Sequence, residues 1–114
     1  MRIDSYQFGR IVIDGAGYDS DCLVTGGCVL QNWRRRQGHL LAAEDLKPVI
    51  DAAPQVLVVG CGAFGMMKVP QQTVQLLQQK GIRCEPMKTA KAVQRFNQLM
   101  HEGANAAAAF HLTC

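Results

Sequence analysis

The chain reads as an α/β fold, antiparallel at its front and alternating helix with strand behind, and three observations predict it. Residues 3 to 29 are rich in β-forming residues and glycine and show no helical periodicity. From Glu44 onward, segments with apolar residues at helical spacing alternate with short extended runs, the signature of βαβ units. Within that part, Val56-Leu57-Val58-Val59 runs straight into Gly60. An apolar, β-branched run this short reads as a strand buried on both faces in the middle of a sheet.

Taken in order, Tyr6-Gln7-Phe8 and Ile11-Val12-Ile13 read as short strands, with Asp14-Gly15-Ala16-Gly17 as a turn signal. Cys22-Leu23-Val24 and Val29-Leu30 form a second extended pair across Thr25-Gly26-Gly27. A helix follows from about Glu44. Glu44 and Asp45 suit the positive end of its dipole, and Leu46, Val49 and Ile50 recur at helical spacing. Pro48 fits only the first turn, whose amides have no intrahelical partner, and Pro54 closes the helix before the strand at 56–59.

Pro70 in the first helical position starts the next helix, over 70–80, with Val74 and Leu77 inward and Gly81 as its stop. Its other face is Gln71, Gln72, Gln75, Gln78 and Gln79. A strand over 82–85 is stopped by Pro86. The last helix takes Thr89 as N-cap, aligns Val93, Phe96, Leu99 and Met100 in one stripe, and ends at Gly103. The tail, 104–110, has helical propensity in its alanines. Gly103 interrupts the period, however, and small residues suit close packing beside other strands, so the tail is assigned as a strand.

Composition bounds the function. With 114 residues, 48% of them hydrophobic and 18% charged, the chain is expected to be a single globular domain, 1–114. No apolar run approaches the length of a bilayer span, and Met1 to Gln7 lacks the apolar core of a signal peptide. The expectation is a cytoplasmic protein without membrane insertion. Five cysteines, an odd number without C-x-x-C spacing, argue against a disulfide framework and a zinc ribbon, and most of them read as small buried hydrophobes. No histidine or cysteine pair has a recognised metal spacing, and the carboxylates Asp19, Asp21, Glu44, Asp45 and Glu85 are scattered and explained by turns or caps. No cofactor, metal or catalytic residue is therefore expected, and the chain leans away from enzymes.

The glycine run needs a separate test, because Gly60-Cys61-Gly62-Ala63-Phe64-Gly65 spells G-x-G-x-x-G after a strand, and Glu85 ends the next strand where a ribose-binding acid belongs. A dinucleotide site needs its helix to begin at the glycines. Met66-Met67-Lys68-Val69 intervene here, and an earlier start would put Pro70 inside the helix at a cost of about 3 kcal/mol. What survives is a small-anion pocket: Val69 as N-cap offers no side chain to the amides of Gln71 and Gln72, and Lys68 lies nearby.

The least fold-explained stretch is Asn32-Trp33-Arg34-Arg35-Arg36-Gln37-Gly38-His39. Guanidiniums beside the single tryptophan offer carboxylate or phosphate recognition with cation-π stacking. A net charge of +3 is too thin a footprint for nucleic acid. His101 falls in the last turn of a helix, where a cation is favourable, whereas His39 and His111 have no helix-face explanation.

Together with this segment, Phe8-Gly9, Ile13-Asp14-Gly15, Asp45-Leu46, Gly60-Cys61-Gly62, Val69-Pro70, Gly81-Ile82, Thr89 with Ala92-Val93 and Asn97, and His111-Leu112-Thr113-Cys114 resemble, in order, a family of small single-domain proteins of unknown function. That family includes the mitochondrial complex I (NADH:ubiquinone oxidoreductase) assembly factor and the adipogenesis-associated proteins. The resemblance implies a three-layer α/β fold with a mixed central sheet and an added N-terminal antiparallel β-hairpin layer. It also implies an assembly-factor-like, non-enzymatic role in binding other proteins, and supplies no catalytic residues; organelle targeting is not expected to carry over. Two functional readings follow. One is an interaction module using Trp33, Arg34, Arg35 and His39. The other is a small anionic ligand or nucleotide site built from the loop at Gly60 and Gly62, continuing to Gly65, with Lys68, Arg35 and His39. His111 is a further candidate for the binding surface.

Overall fold

Strand pairing sorts the chain into two sheets, and the computed structural model describes residues 1–114. The strands are β1 Ile3–Gln7, β2 Arg10–Ile13, β3 Ala16–Tyr18, β4 Cys22–Thr25, β5 Cys28–Leu30, β6 Val56–Cys61, β7 Arg83–Met87 and β8 Ala106–His111. The helices are α1 Lys47–Ala52, α2 Gln71–Gln79 and α3 Thr89–His101. The first three strands make an antiparallel sheet. The others make a mixed sheet in the order β5-β4-β8-β6-β7, with β8 parallel to β6 and antiparallel to β4.

The small sheet is built on turn chemistry. Asp14 and Gly15 have φ of 50° and 81° between the paired residues Ile13 and Ala16, a two-residue turn with both central residues left-handed. The turn is thus shorter than the sequence suggests, and Ala16-Gly17 already belong to β3. In the preceding hairpin Gln7 pairs with Arg10 and Gly9 has φ 80°, so Phe8 leaves the strand and is displayed at the turn.

Alternating side chains of the five-stranded sheet feed two cores. Val56, Val58, Ala108 and Phe110 face α3 and the small sheet, meeting Phe96, Leu99, Ile3, Ile11 and Ile13. Leu57, Val59, Ala107 and Ala109 face the other way, meeting Val49 of α1, Leu77 of α2, Leu41 and Leu46. This is the expected three-layer α/β arrangement with an added antiparallel layer. Asn97 fastens that layer: its Oδ1 accepts Ile3 N–H and its Nδ2 donates to Ile3 O, both at 2.8 Å.

The central strand is β8, and β6 is its interior neighbour. Four consecutive alanines favour helix by a few tenths of a kcal/mol each over β-branched residues. Here ladders on both sides and complete burial of Ala107, Ala108 and Ala109 override that preference. Their small size also lets both layers approach, and Phe110 stacks edge-on against Phe96 at 6.2 Å.

Several boundaries differ from expectation for physical reasons. Pro86 lies inside β7 rather than ending it, which an edge strand paired only with β6 tolerates. Glu44 and Asp45 belong to a 3-10 turn, Ala43–Leu46, so α1 begins only at Lys47 with Pro48 in its first turn. Pro70 is the N-cap of α2 rather than its first residue. On α2 the buried partner of Leu77 is Thr73, whose hydroxyl donates to Leu41 O at 3.0 Å, and not Val74. Thr89 is the first residue of α3 instead of its cap, because its hydroxyl is engaged elsewhere. No helix of the chain is long and apolar enough to cross a membrane.

Candidate functional site

Parallel pairing puts the ends of β6, β7 and β8 at one edge of the sheet, and the start of antiparallel β4 arrives there too. This is the edge at which an α/β sheet presents its loops. His111 ends β8 in register with Cys61, and Asp21 immediately precedes β4. The Asp21 carboxylate accepts three bonds here: from His111 Nδ1 at 2.7 Å, from Arg35 Nη1 at 2.9 Å and from Leu112 N–H at 2.8 Å. A carboxylate at that distance assigns the imidazole proton to Nδ1. The 3.2 Å approach of Arg35 Nη2 to the same nitrogen is then a contact between two donors sharing Asp21. Burial alone pushes the Asp21 carboxyl up. The bonds from His111, Leu112 and Arg35, with the charge attraction of His111, outweigh it and hold the carboxyl below its usual value.

The guanidinium of Arg35 is held on every side. Its Nε donates to Gly38 O at 3.0 Å, its Cζ lies 4.7 Å from the Trp33 ring centroid, and its side chain is only 5% exposed. Trp33 is fixed in turn, since its Nε1–H donates to Asp45 O at 2.9 Å. The Asp45 carboxylate accepts Arg36 N–H and Ala42 N–H. Trp33 and Arg35 therefore tie the connection after β5 to β4 and β8. Arg34 and His39 point outward, although the His39 ring stands edge-on to His111 with centroids 5.7 Å apart. His111 Nε2 is buried without a partner.

The glycine loop is packed against the last residues of the chain. A Cβ on Gly60 would stand 2.9 Å from Thr89 Oγ1, and one on Gly62, whose φ is +104°, would overlap the Cys114 backbone. Gly62 N–H donates to Thr89 Oγ1, which donates to His111 O at 2.6 Å. Ala63 N–H and Met66 N–H donate to Thr113 O and Cys114 O. Beyond the loop, Lys68 runs beside residues 39–41, its N–H on His39 O and its own carbonyl accepting Leu41 N–H, while its side chain is exposed. So Arg35, His39 and His111 converge, Gly60 and Gly62 support the same edge through Thr89, and Arg34 and Lys68 are exposed to solvent outside the Asp21 cluster.

Four residues at this edge, Asp21, Phe8, Phe64 and Met66, are not among the site residues expected from sequence. Asp21 carries no local signal, since its partners lie 14 and 90 residues away. Phe8 and Phe64 are 56% and 67% exposed with ring centroids 6.2 Å apart, and Met66 is 49% exposed. The signal for Phe64 and Met66 was a pair of large apolar residues inside a glycine loop. The hollows of the surface lie elsewhere. The larger, about 600 Å³, is lined by Arg2, Gln94, Asn97 and His101 among others, and the smaller by Gln55, Gln78 and Arg83 among others. Of the five cysteines, expected from sequence to be mostly buried, only Cys22 and Cys61 are; Cys84 is half-buried and Cys28 and Cys114 are exposed, as a turn and a chain end allow. Burial pushes the Cys22 thiol up to about 12 and the Cys84 thiol up to about 11, which keeps both protonated at neutral pH.

These features define an α/β domain with a polar knot and an exposed aromatic pair at the carboxyl edge of its mixed sheet. The family model described as protein of unknown function (DUF498/DUF598) matches residues 3–111, and the chain belongs to that family. A conserved hypothetical protein from Pyrococcus horikoshii OT3 is 26% identical, with a TM-score of 0.80 over 100% of both chains. A Bartonella henselae protein described as an outer membrane protein is 24% identical, with a TM-score of 0.85 over 98% of this chain and 94% of its own. An Mth938-like domain protein of Bordetella pertussis is 20% identical, with a TM-score of 0.80 over 97% of this chain and 85% of its own. The last two likenesses concern the fold alone.

Proposed function

We propose that this protein works by binding another protein, in the manner of an assembly factor, through the carboxyl edge of its mixed sheet. The observation that carries this reading is the exposure of Phe64 and Phe8, 67% and 56%, on two backbone segments that are both hydrogen-bonded to the residues after β8. Two aromatic rings held in water by a braced frame, with Met66 beside them, form the kind of apolar anchor that interfaces bury. The resemblance to complex I assembly factors supports the same role.

A photo-cross-linking phenylalanine analogue at position 64 tests it. Discrete protein adducts in extract of the host cell are expected from position 64 and not from Gln79 on the glutamine face of α2. Absence of any adduct from both position 64 and position 8 would remove this reading.

A further inference from the structure

Lysines lie in and beside the segment that carries Phe64. Lys88 and Lys91 open α3, where the helix dipole is already positive, and no acidic residue or side-chain cap offsets them. The Lys88 stem lies against the Phe64–Met66 loop: a Cβ at Gly65 would be 3.5 Å from its Cγ. Lys68 precedes α2, whose first turn likewise has neither a side-chain cap nor an acid. None of these three lysines reaches a carboxylate. The nearest acid of the polar cluster, Asp21, is paired with Arg35 and His111, and the exposed acids Asp19 and Glu44 pair with Arg10 and Arg36.

Folding alone does not favour this placement, since lysine in a first turn opposes the dipole and acids are the stabilising choice there. We infer that the edge bearing Phe8, Phe64, Met66, Lys68, Lys88 and Lys91 docks an acidic polypeptide segment that interleaves aromatic or large aliphatic side chains with Asp or Glu. The inference rests on the protein-binding reading and specifies its partner. The apolar side chains of the segment cover the phenylalanines, and its carboxylates meet the lysines and the open amides of the two helices. Charge complementarity also selects against basic partners. Three lysines fall short of the clusters of about four to eight that hold proteins on anionic lipid.

Two synthetic peptides with identical Phe and Leu positions, one carrying Glu and one Lys elsewhere, test the inference in titrations followed by amide shifts. The Glu peptide is expected to move residues 62–68 and 88–91 and to bind at least tenfold tighter than the Lys peptide. Its affinity falls at least tenfold in Phe64→Ser and in Lys88→Glu/Lys91→Glu, and the Lys peptide gains affinity for the reversed chain. Equal binding of both peptides overturns the inference and leaves the protein-binding reading standing. Silence with both peptides, while position 64 still cross-links proteins, has the same meaning. Silence with both, no adducts, and co-sedimentation with phosphatidylglycerol vesicles would remove both readings in favour of a lipid surface.

Discussion

Two clusters share one edge of this molecule and are built on opposite principles. Around Asp21 the polar groups are turned inward, and one carboxylate accepts from both a guanidinium and an imidazole beside an aromatic ring. Around Phe64 the apolar groups are turned outward, and the frame spends its hydrogen bonds on holding them there. The inward cluster joins segments that are far apart in sequence, and the outward one sits on two short turns. The contrast separates what holds the fold from what is free to meet a partner: a charged residue can be structural and an apolar one available.

The largest expected effect comes from breaking the inward cluster. Asp21→Ala leaves Arg35 buried without its counter-ion and Leu112 N–H without an acceptor, and about 3 kcal/mol of stability should be lost in urea unfolding. A loss under about 1 kcal/mol would mean that water replaces the carboxylate and that the cluster is no brace. Next, Thr89→Val keeps the shape of a fully buried side chain but strands Gly62 N–H and His111 O, for about 2 kcal/mol. If the hydroxyl is incidental, this variant unfolds with the parent.

Acid sharpens the same contrast. The folded-state value of the Asp21 carboxyl lies below its ordinary 3.8, so its contribution is complete above that value and is lost as pH falls through the lower native one. Unfolding midpoints should drop on acidification below about pH 4, and Asp21→Asn should flatten that part of the profile. An unchanged slope in Asp21→Asn would assign the acid sensitivity to other carboxylates. The smallest effect on stability belongs to the outward cluster: Phe64→Ser and Phe8→Ser should stay within about 0.5 kcal/mol of the parent while losing partner capture. A large destabilisation by either would make the aromatic pair part of the core.

Much of the fold was legible because its signals are local. The Val56 run, the stripe of α3 and the alternation of helix and strand each need only a few neighbouring residues to be read. The site was less legible. Trp33 and Arg35 stood out as residue types suited to recognition, yet the same planar groups serve as internal braces once Asp21 and Asp45 are beside them. Thr89 has the sequence of an N-cap, but its hydroxyl meets Gly62 and His111 across the fold.

By itself the sequence determined the α/β class, most of its elements in order and a second helix that starts beyond the glycine run, because propensity, period and the position of Pro70 act over a single turn or strand. Only the tertiary structure decided that the alanine tail is the central strand, that Arg35 is buried, and that Phe8 and Phe64 meet. Those outcomes depend on pairings between residues far apart in the chain, where burial and hydrogen bonding outweigh local preference.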